Sequence, residues 1–159
     1  IPLLLVRWNV LEQPSLYLSD FFNEYRRDYI DGLWQVSSEG KWQEWIDFFV
    51  TAVKLQSTET NRKTRDLLAL REEYRKEYQT GRSAAGLLGF IDRLFDFPAA
   101  TITTIQRELD VTYPTASNWT RTLVADGILQ EITGQKKNRF YVANGILSKL
   151  NERPFYVRP

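Results

Sequence analysis

Residues 100–143 read ATITTIQRELDVTYPTASNWTRTLVADGILQEITGQKKNRFYVA, and the order of local signals along this stretch decides the fold. Thr103 followed by Gln106 is a capping-box pattern that opens a short helix with Ile105 and Leu109 turned inward. Asp110, Val111 and Thr112 make a turn. Thr112 then caps a second helix, and Pro114 fits its first turn, where a missing N–H leaves no intrahelical bond unmade. Ala116, Trp119 and Leu123 recur at i, i+3 and i+7, which places them on one buried face. Gly127 is suited to the left-handed position that closes such a helix. Two strand-like runs, 128–133 and 139–142, flank the turn GQKKN.

Upstream, residues 84–95 form a further short helix with Leu87, Leu88, Ile91, Leu94 and Phe95 inward, and Pro98 ends it. The order helix, helix, turn, helix, hairpin over residues 84–150, with ADGIL at the helix-to-strand junction, resembles a winged helix-turn-helix domain. Opposite its apolar face the second helix of the pair carries Thr115, Ser117, Asn118, Arg121 and Thr122, with Thr112 at its start. Short hydrogen-bonding groups with one guanidinium suit base edges and phosphates. Lys136, Lys137 and Arg139 lie in the wing, within reach of phosphates beside the groove. The same fold also serves packing or protein contact, and one arginine on the helix makes only modest phosphate anchoring.

Composition narrows the chemistry. The 159 residues are enough for a buried core in one large or two small domains. Aromatic content of 14% with few glycines and prolines points to a well-packed, mostly helical chain. The formal charge is only +1, yet residues 134–159 hold six basic side chains against Glu152 alone, a local excess that suits an anionic partner. Cysteine and histidine are both missing, so disulfides, thiol nucleophiles, zinc fingers and histidine acid–base chemistry are closed to these residues. The opening apolar run breaks at Arg7, far short of the roughly 20 residues that span a bilayer, and the expected setting is cytoplasmic.

The first half reads as a helical array. Residues 1–11 look like the end of a buried helix, stopped before Pro14. Ser19 is suited to cap a helix carrying Phe22, Tyr25, Tyr29, Leu33 and Val36 on one face, ending at Gly40. The next begins near Lys41 with Trp42, Trp45, Ile46, Phe49 and Val53 as its stripe, Trp42 and Trp45 reading as core aromatics. Residues 58–79 form an exposed, charged helix with a narrow seam of Leu67, Leu70, Tyr74 and Tyr78, either continuous with the preceding one or jointed at 57–60. Glu24, Asp28 and Asp31 share one side of a helix and read as a solvated face rather than a metal site.

The stretch IPLLLVRWNVLEQPSLYLSDFFNEYRRDYIDGLWQVSSEGKWQEWIDFFVTAV, residues 1–53, resembles the carboxy-terminal helices of Fic-domain proteins, through its aliphatic run, QPSLYLSDFF, YRRDYIDGL and EGKWQEWIDFFV. A winged helix at the carboxyl end is common in one branch of that family. The resemblance implies transfer of AMP from ATP, with magnesium, to protein hydroxyls. The family motif H-P-F-x-[D/E]-G-N-G-R is missing from this sequence, so no catalytic or metal-binding residue carries over. The reading is therefore a mainly α chain: a Fic-type helical bundle (1–81) followed by a winged helix-turn-helix domain with a small β-hairpin (82–159). It is expected to be the inert carboxy-terminal portion of a protein adenylyltransferase, beginning just past the motif. No cofactor is expected on these residues, ATP and magnesium belonging to the intact parent. DNA, the parent's protein substrate and a second copy of the chain are the expected partners, and a membrane is not. The alternative is a stand-alone DNA-binding regulator with a helical dimerisation domain.

Overall fold

A computed structural model describes residues 2–13, 16–80, 84–135 and 138–151. These are mainly helical, with one small antiparallel sheet. The chain packs as two compact units, one ending at Arg62 and one beginning at Lys63.

The first unit contains α1 (Pro2–Arg7), α2 (Leu18–Glu24), α3 (Arg26–Glu39) and the opening part of α4 (Trp42–Glu77). The helix expected over residues 1–11 is shorter. It stops at Arg7 because Asn9 turns left-handed (φ 56°), sending the Asn9 and Val10 amides back to the carbonyls of Val6 and Leu5. Nor is it a buried helix, since Leu3 and Leu4 are exposed. The single helix expected from Ser19 is two. Ser19 lies inside α2, whose N-cap position is Tyr17, and the backbone departs from helical geometry at Tyr25 (φ −101°, ψ 39°) before α3 begins. Gly40 closes α3 in left-handed conformation, as its position in the sequence suggests.

Phe21 anchors the core of this unit together with Leu16, Leu18 and Ala52. Its ring lies 4.6 Å from Tyr25 and 5.5 Å from Phe48, while Tyr29 meets Trp45 at 5.6 Å. The inward stripe of α4 thus runs through Trp45, Phe48, Phe49 and Ala52. Trp42, read from sequence as a core aromatic, is 60% exposed, and Ile46 is also exposed. The stripe is rotated toward Phe48 because only that setting brings Phe48 against Phe21 and Phe22.

α4 is one continuous helix of 36 residues, without a joint at 57–60. Its seam of Leu67, Leu70, Tyr74 and Tyr78 is not a solvated edge: it packs against the core of the second unit. That core is built from α5 (Ala84–Asp96), β1 (Ala99–Thr101), α6 (Ile102–Glu108), α7 (Tyr113–Ala125), β2 (Gln130–Glu131), β3 (Phe140–Val142) and α8 (Asn144–Asn151). Phe90, Ile91, Leu94, Ile105, Leu123 and Ile146 are among its fully enclosed side chains. The sheet order is β1-β3-β2, both pairings antiparallel, with Ala100 opposite Tyr141 and Glu131 opposite Tyr141 on the other side. The two expected strands are shorter than their sequence runs, and β1 was not anticipated.

Charged contacts hold this unit's periphery. Arg93 donates to Glu108 and to the carbonyls of Phe97 and Ala99 (2.9 and 3.0 Å), tying the end of α5 to β1 and α6. Asp92 accepts from Arg71 at 2.8 Å and from Arg75, bridging α5 to α4. The Arg71 hydrogen bond, helped by Arg75, holds the Asp92 carboxyl below the ordinary carboxylate range. A depressed folded value stabilises the fold above the unfolded value of about 3.9 and is lost as pH falls through the folded one. Asp92→Asn is therefore expected to lower stability by a constant amount above about pH 5, the gap to the unmodified chain closing below about pH 4. Urea unfolding across that range checks it, and a gap that widens on acidification contradicts the assignment.

Candidate nucleic-acid interface

The hydroxyl of Thr101, at the end of β1, accepts the Thr104 amide at 3.1 Å and caps α6. The cap is thus Thr101, not the expected Thr103. Thr101 is extended (φ −108°, ψ 159°), the geometry a cap requires, whereas Thr103 is already helical. α6 closes with Asp110 left-handed (φ 50°) and the Val111 amide on the Gln106 carbonyl. Thr112 then caps α7 through the Thr115 amide, with Pro114 in the first turn, as read from the sequence.

α7 buries Ala116, Trp119, Thr120 and Leu123. Gly127 ends it at φ 77°, where the Ile128 amide reaches Leu123 and the Gly127 amide reaches Val124. Buried Ile128 and Leu123 supply the apolar contact that accompanies this closure. The direction of the chain leaving α7 is fixed by these bonds, and with it the position of the hairpin.

The outward face of α7 is not uniform. The Thr112 and Thr115 hydroxyls bond each other at 2.9 Å, and Thr122 bonds the Asn118 carbonyl, so these three are occupied with the helix itself. The side chains of Ser117, Asn118 and Arg121 have no hydrogen-bonding partner among the described residues. Asn118 and Arg121 are exposed and Ser117 half-buried.

The hairpin turn is built from polar contacts. One oxygen of Glu131 accepts the Thr133 and Gly134 amides, each at 2.8 Å, and the Thr133 hydroxyl. That hydroxyl accepts the Phe140 amide from across the hairpin at 3.2 Å. Gly134 and Asn138 are left-handed (φ 62° and 53°), and Arg139 donates its Nε to the Gln135 carbonyl at 2.9 Å. Lys136 and Lys137 lie outside the described residues.

Between α7, the start of α6 and the hairpin lies an open cleft of about 510 Å³. Ser117 and Arg121 line it from α7, and Arg139 from the hairpin. Of the residues singled out in the sequence, these three converge; Thr112, Thr115 and Asn118 do not line it. Thr101, Thr103, Tyr113, Glu131 and Asn138 line it without having been anticipated. Tyr113, the residue before Pro114 and 52% exposed, is the one whose position in the sequence held a hint, since it occupies the first helical turn beside the candidate face.

No model of a known protein family matches this chain. The Fic resemblance implies an ATP and magnesium site built on a histidine-bearing motif. Histidine and a Gly-Asn-Gly segment are both missing from the sequence, and no three metal-ligating side chains converge among the described residues. No helix among the described residues is long and apolar enough to cross a membrane.

Proposed function

We propose that residues 84–150, within the unit beginning at Lys63, form a winged helix-turn-helix module that binds duplex DNA, with α7 as the recognition helix and the β2–β3 hairpin as the wing. The observation that carries this reading is the cleft in which Ser117 and Arg121 of α7 meet Arg139 of the hairpin. The element order from α5 to β3, with β1 paired on β3, suits the same fold. Arg121 and Asn118, exposed and without partners among the described residues, are the groups to read guanine and adenine edges or to hold phosphates. Arg139, with Lys136 and Lys137, is the phosphate anchor beside the groove.

We further propose that the chain as a whole belongs to a Fic-type protein adenylyltransferase, the first unit being helical scaffold and ATP, magnesium and the protein substrate being handled elsewhere in the intact protein. Besides the sequence resemblance, the exposure of Leu3, Leu4, Trp8, Trp34 and Trp42 supports a scaffold that packs against further protein.

Fluorescence anisotropy with short genomic duplexes tests the DNA reading. The chain is expected to bind with a log–log salt dependence set by the phosphates it neutralises. Arg121→Ala combined with Arg139→Ala is expected to weaken binding about tenfold or more and to lower the salt slope by about 2. Absence of any salt-sensitive binding at low ionic strength overturns the reading.

A further inference from the structure

We propose that Glu131 is a positioning residue of the DNA-binding surface: its carboxylate clasps the wing turn so that Arg139 is presented in the cleft that Arg121 lines. The proposal rests on the winged-helix reading above. A carboxylate is an unexpected group in a cleft otherwise furnished with two arginines and several hydroxyls. Coulomb's law alone makes it a liability, since it repels a polyanion. Its geometry gives it another task.

A single oxygen of Glu131 receives three donors from the two residues that begin the turn: the Thr133 amide, the Thr133 hydroxyl and the Gly134 amide. Two of those donors are backbone groups with no strand partner, because β2 ends at Glu131 itself. The Thr133 hydroxyl accepts the Phe140 amide in turn, so the clasp extends to the returning strand. Arg139 precedes Phe140 directly, and its own Nε is fixed on the Gln135 carbonyl. The chain from Glu131 through Thr133 to Phe140 thus sets the position from which Arg139 projects. The anion, not just the acceptor, is what the turn uses: the Thr133 hydroxyl bond, then its amide, hold the Glu131 carboxyl below the ordinary carboxylate range, with Arg139 adding a smaller pull. Bonds from neutral donors to an ionised acceptor are about twice as strong as neutral pairs.

The two roles predict opposite signs. If Glu131 is only a repelling charge, removing it tightens DNA binding. If it is the clasp, removing it weakens binding, because Arg139 is no longer held where the phosphate lies. Glu131→Ala is expected to weaken affinity for a short duplex about tenfold and to lower the salt slope by about 1, with Glu131→Gln intermediate. Thr133→Val, which leaves the charge in place, is expected to weaken binding in the same direction. The Thr133 and Gly134 amides are expected to exchange with solvent at least about tenfold faster in Glu131→Ala, while the unfolding midpoint barely moves because the turn lies outside the core. Tighter or unchanged binding by Glu131→Ala, in a chain whose unmodified form binds, overturns the clasp and leaves the DNA reading standing. Unchanged amide exchange overturns it without reference to DNA. Failure of the unmodified chain to bind at low salt, with exchange accelerated in the variant, overturns the DNA reading and with it the positioning role.

Discussion

Phe90→Ala is expected to remove about 3–5 kcal/mol of stability, enough to leave the second unit largely unfolded at moderate temperature. Phe90 is 0% exposed and sits in the cluster that joins α5 to Ile105, Leu123 and Ile146. Two contributions add. Transfer of a large aromatic side chain out of the core is lost, and the enclosed neighbours cannot collapse fully into the space it leaves. Trp119 is the sole tryptophan beyond Arg62, so its indole N–H resonance, distinguished from those of the other four tryptophans, reports on this unit alone. That resonance is expected to leave its folded position at much lower urea in the variant. A midpoint change worth less than about 1 kcal/mol would mean that Phe90 is not the keystone the packing indicates.

The second large effect comes from adding atoms rather than removing them. Gly86 lies in the first turns of α5 directly against the indole of Trp119, and a Cβ there would stand 2.3 Å from one ring carbon and 2.4 Å from the next. Alanine is the better helix former by about 1 kcal/mol, so propensity alone makes Gly86→Ala stabilising. The clash reverses the sign. Trp119 is nearly enclosed and cannot swing aside without displacing core neighbours, and overpacking of this kind costs about 1–3 kcal/mol and occasionally more. We expect a net loss of about 2 kcal/mol. Trp119→Phe, which lacks the part of the indole that meets Gly86, separates the two effects. In that background Gly86→Ala is expected to be neutral or stabilising, a coupling between contacting sites that a double-mutant cycle measures directly. Additive effects of the two substitutions would show that helix and indole do not meet as described.

What could be read in the sequence was what is decided locally. The Thr112 cap, Pro114, Gly127 and Gly40 each carry their geometry in one residue type, and each stands where the sequence placed it. The periodic face of α7 was legible because Ala116, Trp119 and Leu123 leave one choice of inward side. Where two choices compete, local reading fails. Trp42 and Ile46 are as apolar as Phe48, and only contact with Phe21 and Phe22 selects the latter. Thr101 and Thr103 are both threonines, and the one made extended by β1 becomes the cap. β1 itself, Ala-Ala-Thr, has no strand signature; it exists because β3 offers it partners. The break at Tyr25 has neither glycine nor proline to announce it.

The candidate site divides along the same line. Arg121 and Ser117 follow from the face of a helix, which periodicity gives. Glu131 does not. In the sequence it is one more acidic residue at the end of a short apolar run, and its role depends on where a turn several residues later brings three donors. Lys136 and Lys137 lie outside the described residues, and their part in a wing belongs to the proposal alone.

The sheet described above has a consequence for the behaviour of the chain in concentrated solution. Its two outer strands, β1 and β2, are three and two residues long, and the central β3 is paired on both sides. An outer strand recruits a strand from another molecule through its free row of amides and carbonyls, and a row this short offers only a bond or two. Intermolecular β-pairing therefore finds little purchase on the native state of this unit. Recruitment of these strands into a larger sheet is expected to require that their native pairing first come apart.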